Sequence, residues 1–173
     1  EASKGSSMVV VVGVPYAVGQ KLYNCAAVIQ NGSILGLVPK TYLPNYSEFY
    51  EARHFARGSK KVKEIRIGEE MVPFGTNLLF QCQEMEELVI ACEVCEDLWV
   101  PLPPSTRHAL AGATLICNPS ASDETTTKEI YRRNLVSNQS ARLISGYIYA
   151  SAGEGESTQD VVYSGHNLIC ENG

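Results

Sequence analysis

Residues 88–105 read LVIACEVCEDLWVPLPPS. The opening LVIA is an apolar run of the kind a buried strand shows. It breaks into Cys95-Glu96-Asp97, and then Trp99 and three prolines, Pro101, Pro103 and Pro104, stop any strand ladder. A strand that ends in a thiol beside two acids presents that thiol at a sheet edge. α/β enzymes place nucleophiles there, on a sharp turn held by a rigid scaffold. Glu96 and Asp97 are expected to hold that turn through backbone N–H groups. A buried structural cysteine fits the same residues, so the rest of the chain has to decide between the two.

The alternatives for the Cys pair are weak. Cys92 and Cys95 form a C-x-x-C, but no second pair completes a zinc site, and His54, His108 and His166 are scattered. A redox pair would not sit well with Glu93 between the sulfurs and Glu96-Asp97 after them, because adjacent acids raise a thiol's pKa. Four of the six cysteines lie in apolar runs, as in NCAAVI, LVIACEV, TLICN and NLICE, which favours reduced, buried thiols and a cytoplasmic location.

Around this stretch the 173 residues read as one globular domain or most of one: 45% are hydrophobic and 19% charged. The net charge of −5 offers nothing to nucleic acid or to an anionic membrane. No apolar run approaches the roughly 20 residues that span a bilayer, and no signal-peptide pattern is present.

In chain order, residues 1–7 read as a frayed end and residues 8–12 as a buried strand closed by Gly13 and Pro15. Residues 23–30 and 33–38 read as a hairpin about Asn31-Gly32, which delivers Lys40 at its end. Residues 40–59 carry aromatics and charge with no period, the mark of a functional loop. Residues 60–67 read as a basic edge stretch, 71–75 as a turn and 76–80 as a short strand. Beyond Cys95, residues 105–111 read as a short helix capped by Ser105, and 114–118 as a buried strand ending in Pro119-Ser120-Ala121-Ser122. Residues 129–145 read as the longest helix, stopped by Gly146. Residues 146–151 read as a strand, 152–157 as a loop and 164–171 as a last strand or hairpin arm. Hairpins first and alternating strand and helix later imply a mixed sheet with helices on one face and a second sheet on the other.

Lys40, Cys95 and Ser122 each follow an apolar run, so all three can converge on one sheet edge. A lysine ammonium beside a thiol would stabilise the thiolate and then an oxyanion. That is amide-hydrolase chemistry: sulfur attacks a carbonyl, a cation holds the tetrahedral intermediate, and an amine leaves.

Four segments carry a resemblance: 38–55 (VPKTYLPNYSEFYEARHF), 92–105 (CEVCEDLWVPLPPS), 111–122 (AGATLICNPSAS) and 149–173 (YASAGEGESTQDVVYSGHNLICENG). From about residue 8 onward the chain resembles the nitrilase superfamily of carbon-nitrogen hydrolases. Within it, the chain is most similar to the glutaminase domains of glutamine-dependent NAD(+) synthetases. The resemblance implies a four-layer αββα sandwich, here incomplete at both ends, and a Cys–Glu–Lys mechanism that releases ammonia from glutamine. Carried over by motif position, the nucleophile is Cys95, the lysine Lys40 and a supporting acid Glu48. Glutamine contacts fall on Tyr46, Ser122, Glu96, Trp99 and Lys128. Lys128 stands where the family has Arg; it keeps the charge but loses the planar fork that binds a carboxylate with two bonds.

The resemblance further implies a general-base Glu in a motif outside residues 1–173, and the chain alone is therefore expected to be nearly inactive. It implies a synthetase domain in the same protein that uses ATP, Mg and deamido-NAD, no cofactor or metal in this domain, and homo-oligomers that pack sandwich faces. A stand-alone amidase acting on another small amide, or an inactive scaffold of the same fold, would carry the same core residues.

Overall fold

The Asn31-Gly32 turn forms as its residue types require. Both residues take positive φ, 48° and 86°, the conformation that joins two strands with the correct twist. The computed structural model describes residues 2–156 and 160–173, so Glu1 and the end of the expected 152–157 loop at Ser157 lie outside the described residues. The hairpin joins β2 (Lys21–Gln30) to β3 (Ser33–Pro39). With β1 (Val9–Val18), β4 (Lys63–Ile67) and β5 (Glu70–Phe74) these form a mixed sheet of order β1-β2-β3-β5-β4. The second sheet, also mixed, holds β6 (Phe80–Gln81), β7 (Val89–Cys92), β8 (Leu115–Ser120), β9 (Gly146–Ser151) and β10 (Leu168–Glu171) in the order β10-β9-β8-β7-β6.

The two sheets pack face to face. Ala26, Val28 and Val38 of the first meet Cys92 and Val94 of the second, with Leu78, Phe80 and Cys117 packed around them. On the far side of the second sheet, Ala91, Ile116, Tyr147 and Tyr149 are buried with Val136 of the long helix. That side is covered by α1 (Pro104–Leu110) and α2 (Lys128–Leu143). The result is an α+β sandwich. Three of the four expected layers are formed by the described residues. The outer face of the first sheet holds a smaller cluster about Cys25, Leu37, Val72 and Phe74, on which no described helix lies.

Several local expectations are corrected. β1 runs on through Gly13 and Pro15, and Val9 and Val12 are exposed rather than buried. It is an edge strand, where a missing N–H costs no ladder bond. Residues 71–74 belong to β5, and only Gly75 of the expected turn lies beyond it. Pro73 is tolerated because β5 pairs with β3 only at Leu37↔Phe74. The strand expected over 76–80 shrinks to β6, at the edge of the other sheet. Ser105 is not a cap but lies inside α1, fully buried, and its N–H donates to Glu93 Oε2 at 2.7 Å. α2 closes on Ile144 at φ 50°, and Gly146 already belongs to β9.

Candidate active site

β7, β8 and β9 are parallel, and β3 is parallel to β5, so their carboxyl ends deliver polar residues to one end of the sandwich. A cavity of about 580 Å³ opens there. Lys40, Tyr46, Glu51, Cys95, Glu96, Trp99, Ser122 and Lys128 line it. Seven of the eight residues picked from the sequence thus come together around one space, and Glu48 does not.

Cys95 follows β7 after Glu93 and Val94 and opens a short 3-10 turn, Cys95–Leu98. Its φ is 48°, in the left-handed region that side-chain-bearing residues rarely occupy. Such a turn lifts the thiol off the sheet edge, as nucleophile elbows do. Two anchors hold it. The Cys95 N–H donates to Asn118 Oδ1 at 2.7 Å, and the buried Asp97 carboxylate accepts the N–H of Val94 at 3.0 Å. Asp97 also accepts the N–H groups of Thr41 at 3.0 Å and Tyr42 at 2.8 Å. One carboxylate therefore ties the Cys95 turn to the segment after Lys40. Burial pushes the Asp97 carboxyl up to about 6, against the opposing pull of these three N–H donors and of Lys40. Asp97 thus holds the turn as expected, whereas Glu96 does not; its Oε1 accepts the Tyr46 hydroxyl at 2.9 Å. Burial, followed by the Glu96 carboxylate, pushes the Tyr46 phenol up to about 12.

Lys40 is 2% exposed, and its Nζ lies 2.6 Å from Glu51 Oε2. This corrects the sequence expectation: Glu48 is exposed, lies outside the cavity lining and makes no ion pair with Lys40, whereas Glu51 does. The reason is local. Residues 46–50 turn back over the cavity, and the 3-10 turn Glu51–Arg53 then faces β2. There Asn24 Nδ2 donates to Glu51 Oε1 at 2.8 Å, which fixes the carboxylate's orientation. A buried ammonium needs such a partner to keep its proton. The loop closes through Gly58, whose N–H donates to the Lys40 carbonyl at 2.8 Å. A Cβ at Gly58 would fall 2.6 Å from the Pro39 carbonyl oxygen, so the closure demands glycine.

On the opposite wall, Ser122 sits on a turn held by Arg132, a guanidinium with no exposed surface. Arg132 donates to Ser122 Oγ at 3.3 Å, the Asp123 carbonyl at 3.1 Å, Glu124 Oε2 at 3.1 Å and His166 Nδ1 at 2.9 Å. The Lys128 ammonium pairs with Asp123 and lies over the rings of Trp99 and Phe49, at 5.6 and 6.0 Å from their centroids. Sequence reasoning missed Glu51, Arg132, Asn118 and Asn24. Only Glu51 left a trace, as a second acid in the same aperiodic segment.

A thiol on a strained turn, a buried ammonium held by a carboxylate and a polar rim in one cavity are the parts of an amide-cleaving site. The carbon-nitrogen hydrolase family pattern matches residues 1–171.

The chain belongs to the carbon-nitrogen hydrolase family.

This carbon-nitrogen hydrolase domain is 48% identical over 165 residues to the glutamine-dependent NAD(+) synthetase of Mycobacterium tuberculosis, covering 95% of the chain and 24% of that protein. The chain therefore spans about a quarter of the length of the curated relatives it matches. Among solved structures it resembles a glutamine-dependent NAD(+) synthetase from Cytophaga hutchinsonii, at 30% identity and a TM-score of 0.83, covering 95% of the chain and 26% of that structure. An amidase from Nesterenkonia sp., 16% identical with a TM-score of 0.72, shares the fold over 98% of the chain and 56% of its own length. No described helix is long and apolar enough to cross a membrane.

Proposed function

We propose that this chain is the glutamine-hydrolysing part of a glutamine-dependent NAD(+) synthetase. The single observation that carries the reading is that Cys95, on its left-handed turn, and the buried Lys40–Glu51 pair line the same cavity. The Cys95 sulfur attacks the side-chain carbonyl of glutamine and its C=O electrons move onto oxygen. The Lys40 ammonium stabilises that oxyanion, aided by the Glu96 N–H, which has no acceptor within the chain among the described residues. The thiol proton, taken up by a general base, is handed to the nitrogen as the C–N bond breaks, ammonia leaves, and water hydrolyses the resulting thioester to glutamate and the free thiol. The proton acceptor in this reading is a Glu outside residues 1–173. Glu51 supports Lys40 rather than filling that role, because both of its oxygens are engaged by Lys40 and Asn24.

Glu96 and the Tyr46 hydroxyl suit the α-ammonium of glutamine, while Lys128, Trp99 and Ser122 form the side that would meet its carboxylate and stem. ATP, Mg and deamido-NAD belong, in this reading, to a synthetase domain of the same protein that receives the ammonia. A cytoplasmic location accords with six free cysteines. Assembly of copies through sandwich faces completes the proposal. The test is ammonia release from glutamine by the full protein and by its Cys95→Ala variant. Loss of release in the variant supports the reading, and undiminished release overturns it.

A further inference from the structure

A chain of hydrogen bonds runs from the helix-covered side of the second sheet to the backbone of Cys95. Glu93 is 1% exposed and lies between β7 and α1. Its Oε2 accepts the Ser105 N–H at 2.7 Å, and its Oε1 accepts the Tyr147 hydroxyl at 2.5 Å. Tyr147, fully buried on β9, in turn accepts Asn118 Nδ2 at 2.9 Å. Asn118, on β8, spends its Oδ1 on the Cys95 N–H at 2.7 Å and the Ser120 hydroxyl at 2.8 Å.

With Glu93 ionised, every link of this chain has one allowed direction. A backbone N–H can only donate, so the Asn118 oxygen must face Cys95 and its NH₂ must face Tyr147. The phenol oxygen then accepts from Asn118 and its proton must go onward to an acceptor. Glu93 meets that need on one oxygen while taking the Ser105 N–H on the other. Nothing but two acceptor oxygens satisfies both donors. From this polarity we infer that Glu93 is a positioning residue for the nucleophile: acting through Tyr147, it sets the orientation of the Asn118 amide and thereby holds Cys95 in its left-handed conformation.

This inference rests on the proposed role of Cys95, and the two can be tested apart. In the full protein, Glu93→Gln puts an NH₂ where an acceptor is needed. If the new amide oxygen keeps the Ser105 N–H, its NH₂ faces Tyr147, the phenol turns, and the Asn118 amide flips. An NH₂ then confronts the Cys95 N–H. The expected result is a fall of ~10²-fold in kcat for glutamine hydrolysis with KM little changed, since the reacting group is displaced while the substrate wall is untouched. Adding Asn118→Asp restores the direction of every bond. The amide introduced by Glu93→Gln donates to the Tyr147 hydroxyl, that hydroxyl donates to the carboxylate introduced by Asn118→Asp, and the carboxylate accepts the Cys95 N–H. The double variant should recover at least tenfold of the lost kcat. A merely structural role for Glu93 predicts no such rescue.

Thermal melting checks that each variant is folded. Should Glu93→Gln not fold, Tyr147→Phe cuts the same chain without adding a polar group and should lower kcat with KM little changed. Cys95→Ala with undiminished activity would remove the reading of the site and this inference together. An inactive Cys95→Ala beside a fully active Glu93→Gln or Tyr147→Phe, or a double variant no better than Glu93→Gln, would overturn the positioning role alone.

Discussion

Asp97 Oδ1 accepts the backbone N–H of Tyr42 at 2.8 Å, while its Oδ2 takes that of Val94 at 3.0 Å. One buried carboxylate so joins the turn that carries Cys95 to the segment that carries Lys40. Replacing it with alanine would leave three backbone donors without their acceptor. Asp97→Ala should lower unfolding stability by roughly 2–4 kcal/mol, because each orphaned buried donor costs about 1–3 kcal/mol and solvent can reach some of them. The urea midpoint measures this; a shift equivalent to less than about 0.5 kcal/mol would mean that Asp97 does not tie the two segments.

Glu51 and Glu48 give a direct contrast. Glu51→Gln removes the charge that holds the Lys40 ammonium and should lower glutamine turnover at least tenfold, whereas Lys40→Ala should cost ~10²–10³-fold by analogy with lost oxyanion donors. Glu48→Gln, at an exposed side chain outside the cavity, should stay within about twofold of wild type. Steady-state ammonia release from the full protein checks all three. Equal losses for the two glutamates would refute the assignment of Glu51.

Much of this was legible in the sequence, and the failures have physical causes. The hairpin, the buried parallel strands and the Cys95 turn announce themselves through Asn31-Gly32, through apolar runs, and through chemistry placed where a run stops. Lys40, Cys95 and Ser122 are strand-end residues and could be found in that way. Glu51 could not be told from Glu48, because the segment between residues 40 and 59 has no period and only the fold decides which acid turns inward. β5 was obscured by Pro73, whose cost vanishes where a strand is barely paired on one side. Glu93, Asn118 and Arg132 are polar residues inside or beside elements, and pattern reading assigns such positions to solvent. Their burial depends on partners far along the chain, Tyr147 for Glu93 and His166 for Arg132.

Burial also makes Glu93 a pH-dependent element. Removal from water pushes its carboxyl from 4.5 up to about 7, although the Tyr147 hydroxyl and Ser105 N–H favour the ionised form; the nearby Asp97 charge adds to the rise. A carboxyl whose folded pKa is raised binds its proton more tightly in the folded state. Its contribution is therefore fully present below pH 4.5 and is lost as pH rises towards 7. A rise from 4.5 to about 7 corresponds to about 3 kcal/mol as an order of magnitude. Asp97, raised from 3.8 to about 6, adds a slope of the same sign lower in the range. Urea midpoints between about pH 4 and 8 should fall with rising pH for the wild type. Glu93→Gln should flatten the part between about 4.5 and 7. Parallel curves for the two proteins would show that Glu93 does not titrate there.

Which sulfur reacts decides the assignment of Cys95. The full protein, treated with a glutamine-like electrophile such as a diazo ketone, should gain one adduct per chain on the peptide that contains Cys95. Free glutamine should slow the labelling, and ammonia release should disappear in step with it. An adduct on any of Cys25, Cys82, Cys92, Cys117 or Cys170, with Cys95 unmodified while ammonia release is lost, would contradict the assignment of Cys95 as the nucleophile.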